Sequence, residues 1–161
     1  MKRFMGILAI AACTGFGCAQ PYMERMEAGF VTPMSRLAVD VEAVARLLEN
    51  YQNRIAEGAR EQRETLDAIN KARASLQSMK LKLEDLGKPP TSMADYREEA
   101  DAMVVAMDDY LTALENAVRK TSDLEAAERA VNDKALALAS RLSRFEHLRQ
   151  QKMIQIGYLR M

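Results

Sequence analysis

The sequence predicts an all-α protein, specifically a long antiparallel helical hairpin of the coiled-coil type. Three observations predict it. Ala, Leu, Glu, Arg and Met dominate the 161 residues, with 7 Gly, 4 Pro, no Trp and only 6% aromatics, which is helix-forming composition. Apolar residues recur in 3-4 alternation over most of the chain. One cluster of breakers, Gly87-Lys88-Pro89-Pro90, splits that pattern into two arms of similar length. The same composition argues against a β-sandwich, a barrel or a doubly wound α/β fold, which need β-branched residues and Gly-rich turns.

The chain opens with an address rather than a fold element. Lys2 and Arg3 precede an uncharged run, Phe4 to Gly17, and the sequence turns polar after Gly17-Cys18-Ala19-Gln20-Pro21. A positive start, a short apolar run and small residues at its end form the three-part secretory pattern. The run falls short of the ~20 residues that span a bilayer as a helix. With Gly17 before Cys18, residues 1–18 resemble a bacterial lipoprotein-type signal peptide. That resemblance implies lipid attachment at Cys18 and residence on the periplasmic side of a cell envelope. It covers these residues alone and implies no family for the rest. Cleavage after Ala19, with release of a soluble protein, remains an alternative, as does a retained membrane anchor. Both cysteines, Cys13 and Cys18, lie in this segment, so the remaining chain forms no internal disulfide and must be held by packing.

Residues 19–32 form a short amphipathic segment. Thr32-Pro33 offers an N-cap followed by proline at the first helical position, which starts a helix or kinks one. The hairpin proper is expected over 33–161. Its first arm carries Met34, Leu37, Val41, Val44, Leu48, Tyr51 and Ile55, weakens through Gly58, Ala59 and Gln62, and resumes at Leu66, Ile69, Ala72, Leu76, Met79, Leu83 and Leu86. Gly87 suits the C′ position, Pro89-Pro90 cannot continue a helix, and Ser92 with Asp95 has capping-box spacing. The tip therefore lies at 87–91. The second arm runs through Met93, Tyr96, Ala100, Met103, Met107, Tyr110, Leu114 and Ala117, and on to Val131, Leu138, Leu142 and Phe145. A repeat of 3.5 residues sustained this long is a coiled-coil seam.

The two seams can be aligned. In an antiparallel hairpin the numbers of facing residues add to a constant. Leu86 with Met93, Leu76 with Met103, Ile69 with Tyr110, Leu48 with Val131 and Val41 with Leu138 all give 179. Past the kink, Phe30 would meet Leu148 or Arg149, and Met26 would meet Met153, so the N-terminal segment covers the C-terminal tail. Fully extended arms would reach ~80 Å at 1.5 Å per residue. The weak level, Gly58 opposite Lys120-Thr121-Ser122-Asp123, allows an alternative: both arms bend there and fold into a compact four-helix bundle.

Little in the sequence speaks for catalysis. The lone His147 has no second His or Cys at metal-ligand spacing. Glu84-Asp85, Glu98-Glu99 and Asp108-Asp109 are neighbours that diverge by about 100° on a helix. No Gly-rich phosphate loop or activated nucleophile is evident. A non-enzyme with no cofactor and no metal is expected. Removing Lys2 and Arg3 leaves 21 basic against 23 acidic side chains, and the basic stretch lacks stacking aromatics, which excludes nucleic-acid binding.

Three features suggest partners. Val104, Leu111 and Val118 form a second stripe beside the seam, read as a docking face for a second copy or a helical partner. Arg141, Arg144, Arg149 and Lys152 make the C-terminal end basic and, beside a lipidated Cys18, would lie near anionic headgroups. Met79, Met93, Met103 and Met107 cluster near the tip, as seam filler or as a plastic client-binding surface. The function expected is that of an exported envelope spacer, scaffold or partner-binding hairpin. A holdase-type chaperone with a Met-rich tip, or a protein binding membrane surfaces, are the alternatives.

Overall fold

The computed structural model describes residues 19–53, 59–119 and 123–157. Cys18 and the remainder of the signal-like segment lie outside these. Among the described residues every regular element is helical: α1 (Ala19–Met26), a π-helical turn (Glu27–Val31), α2 (Thr32–Asn53), α3 (Ala59–Asp85), a 3-10 turn (Thr91–Met93), α4 (Ala94–Arg119) and α5 (Leu124–Gln155).

The all-α class and the division into two arms about a central turn hold. Gly87 adopts φ 70°, a conformation without penalty only for glycine. Its N–H donates to the Glu84 carbonyl at 3.0 Å, closing α3 as the sequence suggests. The start of α4 differs from expectation. Its first turn is 3-10 after an extended Pro90, without a side-chain cap, and the Asp95 carboxylate instead accepts from the Tyr96 N–H at 2.9 Å. At α5 the cap is Asp123, one residue beyond Ser122, accepting from the Ala126 N–H at 3.0 Å. Thr32-Pro33 opens α2, which continues directly from the π-turn rather than from a free N-cap. The Thr32 N–H reaches back to the Glu27 carbonyl, and this wider turn falls where Pro33 lacks the N–H that an α-helical ladder needs.

Of the two arrangements open to the sequence, the packing is that of the folded-over bundle. α2 packs on α3, α3 on α4, and α4 on α5, with α2 also touching α4. In an extended hairpin α2 would instead run along α5, with Leu48 against Val131. Each pair is antiparallel. Pro33 and Lys82 line one end of an α2/α3 groove, and Leu47 and Ala68 line the other. The Gln62 side chain donates to the Val118 carbonyl at 3.1 Å, while Arg97 at the opposite end of the α3/α4 pair donates to the Leu83 carbonyl at 2.5 Å. Lys134 meets Asp109 at 2.7 Å and Lys152 meets Asp95 at 2.8 Å between α4 and α5. The predicted α3/α4 register survives unchanged. The doubled fold also keeps α2 and α5 at matched heights, so the numbering constant alone could not tell a rod from a bundle.

The reason for folding over lies in α4. Met103, Met107 and Leu114 of its seam are fully buried, and so are Leu111 and Val118 of its second stripe, with Val104 at 8% exposure. A two-helix rod would leave that second stripe in water. At ~25 cal/mol per Å2 of apolar surface, covering it from within the chain outweighs an extended shape. Leu111 and Val118, expected to form a docking face with Val104, are therefore core, and Val104 lies at the edge of that core. The four tip methionines are core as well, at 2% exposure or less.

Spin labels test this arrangement. Asp40 and Ser75 line the same groove, so labels there should lie about 10–20 Å apart, the scale of packed helices. An extended arm would separate them by about 50 Å at 1.5 Å per residue, and double electron–electron resonance distinguishes the two.

Candidate functional site

One pole of the bundle gathers α1, the π-turn, the 86–90 connection and the end of α5. Its centre is aromatic. Tyr96 of α4 stacks on Phe145 of α5 with centroids 4.8 Å apart, and Phe30 of the π-turn meets Phe145 edge-on at 5.7 Å. All three rings are buried, as are Tyr22, Met23 and Met26 of α1. The sequence places Phe30 one turn away, against Leu148 or Arg149, so the N-terminal segment does cover the C-terminal tail, shifted by about a helical turn.

An ionic clamp surrounds the rings. Arg149 binds Glu27 through two hydrogen bonds, at 2.7 and 2.9 Å, and Glu146 at 3.1 Å. Its hydrogen bonds to Glu27 hold the guanidinium above its ordinary pKa, against the opposing effect of burial. Planar two-point pairing of this kind is among the stronger protein hydrogen bonds. Burial pushes the Tyr96 phenol well above its usual value, with Glu27 adding to the effect, and its hydroxyl has no hydrogen-bond partner. The Tyr22 hydroxyl lies close to Arg97 but outside hydrogen-bond geometry. Burial would lower the Arg97 pKa, yet Tyr22 and Asp101 raise it overall.

The basic residues expected at a membrane surface are all engaged within the chain. Arg141 and Arg144 of α5 converge on Glu99 of α4, at 3.1 and 3.0 Å. Arg149 takes Glu27, and Lys152 takes Asp95. Arg141 and Arg144 remain exposed at their outer edges, whereas Lys152 is largely covered. Glu99 is the residue that sequence reasoning missed. Read as half of a solvated Glu98-Glu99 pair, it is 4% exposed and lies under two guanidinium groups. The available signal was Arg141 and Arg144, three apart on one helix face, but it becomes legible only once α5 is known to lie on α4. His147 is exposed and contacts Gln151 at 2.9 Å.

Comparison with protein-family models, curated proteins and solved structures finds no match. Among the described residues no group of three or more His, Cys, Asp or Glu converges as a metal site. No described helix is long and apolar enough to cross a membrane. The pole is aromatic within and ion-paired without, and these contacts join the first helix and the π-turn to the body.

Two outcomes follow from this geometry. Phe145→Ala removes the ring shared by Phe30 and Tyr96 and should cost about 3–5 kcal/mol in denaturant unfolding. Acid should weaken the fold through two depressed carboxylates. Glu115 is lowered by its bond to Arg119 and by Arg73; burial alone would raise Asp95, but Lys152 and the Tyr96 N–H together lower it overall. Their contribution is complete above the ordinary values of 4.5 and 3.8 and is lost as pH falls through the lower folded values. Urea midpoints should therefore drop below about pH 4, and less steeply in Glu115→Gln.

Proposed function

We propose that the protein is an exported, non-enzymatic element of a bacterial cell envelope, held to a membrane by lipid on Cys18 and serving as a scaffold or partner-binding bundle. One observation carries the reading. The apolar run of residues 4–17 ends at Gly17-Cys18, and the folded body begins at the next residue, with Ala19 already helical and buried. An anchor at Cys18 would leave no tether between lipid and core, so the aromatic pole would rest against the bilayer.

The scale of the body refines the role. The longest helices of the first and second arms have 27 and 32 residues, which correspond to roughly 40–50 Å at 1.5 Å per residue. That suits a compact platform close to the membrane better than a long spacer. Burial of Met79, Met93, Met103 and Met107 removes the surface on which a client-binding tip would depend.

Mass spectrometry of the mature protein should find acylated Cys18 as its first residue. Cys18→Ala should move the protein from the membrane to the soluble fraction. A mature chain starting at Gln20, or one retaining Met1, would refute the anchor.

A further inference from the structure

A shallow groove of about 640 Å3 runs between α3 and α4, on a face left uncovered by α2 and α5. Its floor includes Leu76 and Val104, and Val105 on its edge is 61% exposed. Leu81, one turn beyond Gln77 on the same side of α3, is 51% exposed. Single exposed apolar side chains also occur elsewhere, at Val39, Leu136 and Ile154; here they adjoin a concave apolar floor, the combination that marks a contact surface.

The rims of this groove differ in charge. Arg73 and Lys80 stand on the α3 side; Asp101 and Asp108 stand on the α4 side. Each pair is one heptad apart, and the helices are antiparallel. Arg73 lies level with Asp108, with 4.0 Å between nitrogen and oxygen, so Lys80 lies level with Asp101. Asp101, which also accepts from Arg97 of its own helix at 3.0 Å, and Asp108 are more than half exposed, and Lys80 is exposed.

We propose that this groove is the contact surface of a homodimer, closed by a second copy about a two-fold axis parallel to the helices. Such an axis lays α3 of each copy over α4 of the other without changing heights. Lys80 then faces Asp101 of the second copy, and the two Val105 side chains approach the axis; at the other level Arg73, already held in its own chain by Glu115 at 2.7 Å and Thr112 at 3.0 Å, meets Asp108 of the second copy and so brings no like charges together. The Lys80 level is satisfied twice over, as an isologous interface requires. A two-fold axis across the helices would lay α3 on α3 and put like charges together. The segregation of sign thus selects the occupant and its orientation. The proposal names the partner left open in the reading above, but it does not need the anchor. A Cys18→Ala protein should still dimerise, so the two fail separately.

Charge exchange tests it by sedimentation equilibrium of the full chain in mild detergent. The unaltered protein should be dimeric. Lys80→Asp and Asp101→Lys should each weaken association by about tenfold, since each disturbs two symmetry-related exposed pairs. An equimolar mixture of the two variants should recover the dimer. In the mixed pair the two introduced charges face each other with opposite sign, and the unaltered Asp101 of one chain faces the unaltered Lys80 of the other. Val105→Glu should abolish association while leaving helicity unchanged by circular dichroism. A monomer at ~1 mM, where even weak association is visible, would overturn the proposal. So would a dimer indifferent to all three substitutions, or a mixture that fails to recover.

Discussion

The fold depends on the need to cover α4 on three sides. A helix with apolar residues confined to one seam can be satisfied by one partner. α4 adds Val104, Leu111 and Val118 to Met103, Met107 and Leu114, and its small Ala113 faces α5 across a groove shared with Ala127 and Ala130. With α2, α3 and α5 all drawn to one helix, the two arms cannot stay straight. The chain becomes its own bundle partner. Stability then comes from packing without any disulfide, because neither cysteine lies in the body.

Much of this was legible in the sequence. Helical content follows from composition and 3.5-residue periodicity, and the central turn from Gly87 and Pro89-Pro90. The α3/α4 register follows from matching seams, and even the unusual width of α4 was visible. What remained ambiguous was whether that width called for another chain or for another part of this one. Doubling a symmetric hairpin preserves the heights of all four segments, so seam matching gives the same answer for rod and bundle. Only contacts between sequential helices break that degeneracy, and those are not encoded in periodicity.

The polar residues were less legible for a related reason. Whether a charged side chain is solvated depends on which helix lies beside it. Glu99 and Glu98 are indistinguishable in the sequence, yet one lies beneath Arg141 and Arg144 and the other does not. Arg149 looked like part of a basic patch because its partner, Glu27, is 122 residues away. Long-range pairs of this kind fix how elements dock, even where each adds little to stability. The C-terminal charge surplus is thereby largely consumed inside the molecule.

The meeting of α1 and the end of α5 at one pole has a mechanical consequence. A force entering at Ala19 would act on a helix that the π-turn divides at Glu27–Val31. The load would be met first by the buried contacts of Ala19, Tyr22, Met23 and Met26, and then at the turn, where Glu27 holds Arg149 and Phe30 meets Phe145. The bundle beyond would feel it only after these contacts had opened in turn, so the pole stands in series between the first helix and the body.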